Sequence, residues 1–116
     1  MTDTNPRKSY PLASGVFDYF PDALMEIAFV SYVGNEQHNP GEPLHWAKEK
    51  SQDECDAMLR HYKERFEYDT DGTMHAAKMC WRALAFLQKL IDAKRKEMSY
   101  ETYNRWLKDA VKKRIK

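Results

Sequence analysis

The chain has 116 residues, and its 42% hydrophobic and 13% aromatic content is enough for one small folded domain. This composition excludes a disordered or collagen-like chain, and a net charge of +1 argues against bulk electrostatic capture of nucleic acid or membrane. The near-neutral average hides a split: residues 1–93 carry 10 basic and 15 acidic residues, whereas residues 94–116 carry 9 basic and 3 acidic residues. An acidic body is therefore followed by a basic tail.

The apolar runs and the cysteines indicate the cellular compartment. No apolar run approaches the roughly 20 residues that a membrane-spanning helix needs, and residues 1–8 lack the layout of a secretory signal. Cys55 and Cys80 fall among apolar residues of predicted helices, so we expect two buried free thiols. These features predict a cytoplasmic protein without a membrane partner.

The N-terminal part predicts an arm and a helix. Residues 1–16 are polar, contain two prolines and a glycine, and are expected to form an extended N-terminal arm. Pro21 suits the first position of a helix and Asp22 its first turn, which predicts a helix over 21–33 with Gly34 as its C-cap.

A long loop and a second helix follow. Residues 34–50 show no sustained period and contain two glycines and two prolines, and loops of this length in small domains are more often functional than connective. Ser51 and Glu54 have the spacing of a capping box, which predicts that helix two begins there. Its predicted apolar face consists of Cys55, Met58, Leu59, Tyr62 and Phe66.

The C-terminal half predicts a turn and two more helices. Residues 69–72 have turn composition, and a third helix is expected from about 73 to 96. Its predicted apolar arc comprises Met74, Ala77, Trp81, Leu84, Leu87, Gln88 and Ile91. Ser99 is expected to cap a fourth helix, with an apolar side of Tyr103, Trp106, Leu107, Ala110, Val111 and Ile115.

The expected fold is all-α, a small helical bundle built on a long helical hairpin. Residues 17–96 form the main helical domain in this prediction, and residues 97–116 a basic amphipathic C-terminal helix. An isolated hairpin buries too little apolar surface, so a homo-oligomer is expected.

Cationic residues of the predicted hairpin form the most informative pattern. His75, Lys78 and Arg82 lie within about a 60° arc of helix three, which suits either a solvated face or a site for phosphate oxygens. Arg60 and His61 of helix two come near the height of this stripe if the hairpin is antiparallel. His61 is equally open to a structural role.

The loop adds groups that suit a nucleotide. Asn35 and Gln37 can read a base edge, Lys48 can meet a phosphate, and Trp46 can either stack on a base or fill the core beneath the loop.

An enzymatic alternative needs a metal and a base. Glu64, Glu67, Asp69 and Asp71 are the candidates for Mg²⁺, with His61 or His75 as general base. No second acidic pair occurs in helix three to complete a two-helix site.

A third alternative, nucleic-acid binding, rests on the basic tail alone and is the least favoured.

Several short motifs occur in a distinctive order and spacing. They are Phe20-Pro21-Asp22-Ala23-Leu24, Gly34-Asn35-Glu36-Gln37-His38-Asn39-Pro40-Gly41, His45-Trp46, Lys50-Ser51, Arg60-His61, Asp69-Thr70-Asp71-Gly72, His75 and Lys78-Met79-Cys80-Trp81-Arg82-Ala83. Together they resemble the family named after the dATP/dGTP diphosphohydrolase N-terminal domain, small proteins found mostly in phages and prophages. The resemblance covers roughly residues 9–93 and departs at Glu54, where we expect histidine in many relatives.

The resemblance implies nucleotide handling in a bacterial host cell. It suggests either release of pyrophosphate from dATP or dGTP, by analogy with all-α MazG-type hydrolases, or sequestration of a nucleotide immune signal as an anti-defence sponge. The balance of cations, donors and an aromatic residue favours binding without turnover. We expect no cofactor for a binding protein, and Mg²⁺ alone for the enzymatic alternative. The expected ligand-binding residues are Asn35, Gln37, His38, His45, Trp46, Lys48, Arg60, His61, Asp69, Asp71, His75, Lys78 and Arg82.

Overall fold

A computed structural model describes residues 6–98 together with residues 101, 102, 105, 108, 109 and 112. Three α-helices occupy this part of the chain: α1 is Pro21–His38, α2 is Glu54–Lys63 and α3 is His75–Glu97. Shorter helical turns lie at Pro6–Ser9, Ala13–Phe17 and Lys48–Lys50. The described residues contain no strand, only an isolated bridge between Tyr68 and Met74, so the predicted all-α fold class of a small helical bundle is confirmed.

Two compact units divide the chain. One comprises Met1–Pro21 and Lys89–Lys116, and it includes the short turns at Pro6–Ser9 and Ala13–Phe17. The other, Asp22–Gln88, contains every contact of the candidate site described below. None of the helices within the described part combines the length and apolar character that crossing a bilayer requires.

Helix α1 begins where the sequence predicts and ends later. Pro21 is its first residue and Asp22 lies in its first turn. The predicted C-cap at Gly34 is wrong, because the helix continues through this glycine to His38. It ends directly before Asn39-Pro40, where the proline ring disfavours helical backbone in the preceding residue.

Helix α2 begins two residues later than the predicted capping box places it. Asp53, and not Ser51, occupies the N-cap position, and Ser51 is extended. The Ser51 hydroxyl donates to the Asp53 carboxylate, 2.7 Å away. Glu54 is buried at the first position of the helix.

The predicted apolar faces of the hairpin are wrong in detail. Leu59, Tyr62 and Phe66 are exposed, whereas α2 buries Glu54 and Ala57 and half-buries His61. On α3, Leu84 and Leu87 are about half exposed, and the buried positions are His75, Ala77 and Ala85. Small and polar side chains therefore occupy the fully buried positions of the hairpin, while several of the large side chains predicted to be buried are exposed.

Both cysteines and the described residues within 99–116 are exposed. Cys55 and Cys80 are free, as expected, but both are exposed, so the prediction of buried thiols is wrong. Within 99–116, each of the six described residues is helical and exposed. The apolar side predicted for the fourth helix lies outside the described residues.

Candidate functional site

A tight turn joins α2 to α3 and positions the site. Gly72 has φ +87°, a left-handed conformation that glycine adopts without steric cost. The Asp69 and Thr73 backbones are joined by an N–H to carbonyl bond of 2.7 Å, and Thr73 is 1% exposed. Asp71 accepts hydrogen bonds from both the backbone N–H and the hydroxyl of Thr73, at 3.0 and 2.6 Å. These bonds hold two aspartates directly before the start of α3.

Lys78 is paired with both aspartates. Its ammonium donates to Asp69 at 2.6 Å and to Asp71 at 2.7 Å. Burial disfavours the charged lysine, but the two carboxylates outweigh burial and raise the pKa of Lys78. Burial likewise opposes ionisation of Asp71, yet the bonds from Lys78 and Thr73 hold the pKa of Asp71 well below its usual range. The Lys78 bond is the main reason that the pKa of Asp69 is also lowered.

Two histidines meet between α2 and α3. His61 Nδ1 lies 2.9 Å from His75 Nδ1, and the two ring centroids are 5.1 Å apart. The other nitrogen of His75, Nε2, lies 3.4 Å from the Glu64 carboxylate. Burial lowers the pKa of His61, and the neighbouring His75 and Lys78 lower it further. Donation from His75 Nε2 to Glu64 would make His75 Nδ1 the acceptor and His61 Nδ1 the donor in the ring-to-ring contact.

A second cluster lies beside the histidines and brings two arginines together. Ser51 donates to Asp53, Asp53 accepts from Arg60 at 3.1 Å, and Arg82 donates to the Ser51 hydroxyl at 3.2 Å. Bonds from Ser51 and Arg60 lower the pKa of Asp53. Among the described residues, no carboxylate lies within 4 Å of the half-buried Arg82 guanidinium. Arg60 thus contacts Asp53 directly, and Arg82 reaches the same pair through the Ser51 hydroxyl. We call Ser51, Arg60 and Arg82 the arginine site.

The end of α1 is held by one buried amide. Asn35 is 7% exposed, donates to the Glu42 carbonyl at 3.0 Å and accepts from the backbone N–H of His45 at 3.1 Å. These bonds fix the loop backbone, so the Asn35 side chain has a structural role here. Gln37, two residues further along α1, reaches Asp71 at 3.4 Å.

The tryptophan of the loop contacts α3. The half-buried Trp46 meets Trp81 edge to face at 5.3 Å, and Trp81 donates to Ser31 of α1 at 2.8 Å. This packing favours the interpretation of Trp46 as a residue that fills the core beneath the loop. The Lys48 ammonium lies over the Trp46 ring at 5.1 Å.

Some of the predicted site residues contact one another and others stand apart. We call His61, Asp69, Asp71, His75 and Lys78 the histidine–aspartate cluster. Arg60 and Arg82 belong to the arginine site, and Gln37 contacts Asp71. His38 and His45 are exposed side chains of the α1 end and the loop. Sequence reasoning missed Asp53 and the connecting role of Ser51, because the spacing of Ser51 and Glu54 resembled a helix cap.

The four carboxylates proposed for Mg²⁺ do not converge. Glu67 is exposed, Asp69 and Asp71 both hold Lys78, and Glu64 lies beside His75. Mg²⁺ prefers an octahedral shell of oxygen ligands, which this arrangement does not supply. The carboxylates therefore do not fit a dedicated Mg²⁺ site.

Comparisons with protein-family models, with curated proteins and with solved structures found no match. The residues of the chain and their geometry therefore carry the argument for function.

Proposed function

We propose that this protein binds a phosphorylated nucleotide-derived ligand, with a phosphate group held at the arginine site. The observation that carries this proposal is the convergence of Arg60 and Arg82 on the Ser51–Asp53 pair. Guanidinium groups bind phosphate oxygens through paired hydrogen bonds, and a half-buried arginine without a nearby carboxylate gains most from such a ligand.

Asp53 occupies the place that a phosphate would take. Its carboxylate accepts from both Arg60 and Ser51, and the Arg60–Asp53 pair is exposed, with side-chain exposures of 63% and 51%. Exposed ion pairs contribute little to stability, so exchanging this carboxylate for a phosphate oxygen costs little. The Lys78 ammonium, by contrast, is already neutralised by two aspartates. Of the three cations expected to take phosphates, Arg60 and Arg82 therefore remain as the phosphate ligands in this proposal.

The proposed function is retention of the ligand without turnover. The four carboxylates do not supply a dedicated Mg²⁺ site, and this supports retention over the Mg²⁺-dependent hydrolysis that the resemblance implies. Retention, together with the resemblance to phage proteins, leads us to propose that the protein sequesters a nucleotide immune signal in the host cell.

A second candidate, hydrolysis of dATP or dGTP to the monophosphate and pyrophosphate, is favoured by the histidine pair. If His61 donates through Nδ1, its Nε2 carries a free lone pair, and its lowered pKa keeps the ring neutral near pH 7, as a general base requires. His75 would act as the positioning residue, with Glu64 holding its orientation.

One experiment separates the two candidates. The protein is incubated with dATP, dGTP, a cyclic dinucleotide or ADP-ribose in the presence of Mg²⁺, freed of unbound ligand and then denatured. Retention predicts that an intact ligand is recovered in stoichiometric amount. Recovery of a monophosphate and pyrophosphate would establish the hydrolase, and failure to retain or cleave any of the ligands would contradict the proposed function.

A further inference from the structure

The histidine–aspartate cluster has the donor spacing of a metal centre. One nitrogen each from His61 and His75 and one oxygen from Asp69 lie within 4.8 Å of one another. Bonds of about 2.0–2.2 Å to a common ion place neighbouring ligand atoms roughly 3 Å apart. The two Nδ1 atoms already have this separation, at 2.9 Å, and Asp69 Oδ2 lies 4.0 Å from His75 Nδ1. A small movement of the Asp69 carboxylate would complete a three-ligand face.

Surrounding groups orient these donor atoms. Glu64 lies 3.4 Å from His75 Nε2, and donation to this carboxylate leaves a lone pair on His75 Nδ1. Metal-binding histidines usually hold their second nitrogen in this way. In the metal-free protein this lone pair accepts from His61 Nδ1–H. Metal binding would replace that hydrogen bond, with the His61 proton on Nε2, so that both Nδ1 atoms offer lone pairs. Asp69 Oδ1 accepts from the backbone N–H of Thr70 at 2.7 Å, so Oδ2 is the oxygen that faces the cluster.

The charge of the cluster also suits a divalent cation. Glu64 and Asp69 lie beside His75, and Asp71 shares the Lys78 ammonium with Asp69, so one positive charge offsets three negative ones. With neutral histidines, two negative charges remain. The Lys78 ammonium lies on Asp69 Oδ2 and would compete with an ion for that oxygen, so it is expected to weaken binding without preventing it.

The geometry points to a site for a divalent first-row transition metal, with His61, His75 and Asp69 as ligands and Glu64 as the residue that orients His75. Imidazole nitrogen with a carboxylate suits Zn²⁺, Co²⁺ or Mn²⁺ and does not suit Mg²⁺, which prefers oxygen. Three protein ligands leave positions open for water or for a phosphate oxygen. The inference goes beyond the proposed function and does not require nucleotide binding.

Metal titration of the nucleotide-free protein tests this site. The chain is stripped with chelator and titrated with Co²⁺, followed by visible absorption and calorimetry, and then with Zn²⁺ in competition. We expect one ion per chain with a nitrogen-containing Co²⁺ spectrum, and little competition from Mg²⁺. His61→Gln and Asp69→Asn should weaken binding by about tenfold or more, and Glu64→Gln by about tenfold.

Exposed histidines of the same chain provide the controls. His38→Gln and His45→Gln should bind Co²⁺ like the wild type, and circular dichroism verifies that each variant is folded. His75→Gln is scored only if it folds, and His61→Gln carries the test otherwise. No stoichiometric Co²⁺ binding by the wild type, or unchanged binding in folded His61→Gln, would overturn the inference. Co²⁺ binding without nucleotide binding would contradict the proposed function alone.

Discussion

The Nδ1 atoms of His61 and His75 lie 2.9 Å apart, so one ring must donate and the other accept in this contact. Protonating both rings would place two donors and two positive charges against each other. Burial is the main cause of the lowered pKa of His61, and repulsion from His75 and Lys78 lowers this pKa further. The pair therefore favours one neutral, oriented His61.

We predict that His61 in the metal-free protein titrates below the value of about 6.5 found for histidine in peptides. Nuclear magnetic resonance of the imidazole C–H groups measures this, with the His61 signal assigned by its loss in His61→Gln. Because the folded pKa is lowered, this group reduces stability as pH falls through about 6.5. A His61 midpoint at or above that value would contradict the assigned contact.

Asp71→Asn should destabilise the fold by about 2 kcal/mol near neutral pH, because the amide cannot pair with the Lys78 ammonium. The lowered pKa of Asp71 means that its stabilisation is present above about pH 4 and is lost progressively at lower pH. Urea denaturation at about pH 7 and about pH 3 measures the difference. The exposed Asp56→Asn is the control, and a loss that is equal at both pH values would show that charge pairing is not its source.

Asn35→Ala should cost about 2 kcal/mol, because it leaves the His45 N–H and the Glu42 carbonyl without their partner. Glu36→Ala, at the next and exposed position, should change the free energy of unfolding little. Thermal denaturation of both variants measures the effect. Equal stability of the two variants would contradict the structural role of Asn35.

Large apolar side chains remain exposed on both hairpin helices, including Leu59 at 59% and Leu87 at 52%. The buried hydrophobic residues among those described are three alanines, Ala57, Ala77 and Ala85. Exposure on this scale is typical of a subunit surface, so we expect self-association. Sedimentation equilibrium should give a mass at least twice the 13.7 kDa of one chain, and a monomer at micromolar concentration would contradict this expectation.

Local signals in the sequence predicted part of the fold correctly. Pro21 marks the start of α1, because its ring restricts the backbone to a helical φ. Gly72 supplies the turn before α3, because glycine adopts a positive φ without steric cost. Gly34 and Ser51 misled, because long-range bonds decided their environments. Contacts of Asn35 with the loop stabilise helix beyond Gly34, and Arg82, which is distant in sequence, donates to the Ser51 hydroxyl.

The candidate site was predictable as a set of residues and not as a set of contacts. Helical spacing placed His75, Lys78 and Arg82 on one stripe, but spacing cannot show which carboxylate reaches which cation. The turn carries Asp69 and Asp71 to Lys78, and this pairing leaves Arg82 as the stripe cation without a described carboxylate nearby. Helical periodicity also assigned burial to large apolar residues, whereas the fully buried positions of α2 and α3 are held by alanine, histidine and glutamate.

The central claim is that Arg82 anchors a phosphorylated ligand, and calorimetric titration with dATP, dGTP and ADP-ribose tests it most directly. The matched control is Arg65→Gln, since the Arg65 guanidinium stacks over Tyr62 at 4.0 Å and lies outside the arginine site. We predict that the wild type and Arg65→Gln bind at least one of these ligands equally, and that Arg82→Gln binds it about tenfold or more weakly. Equal affinity of Arg82→Gln and the wild type, or no binding by the wild type, would contradict the account.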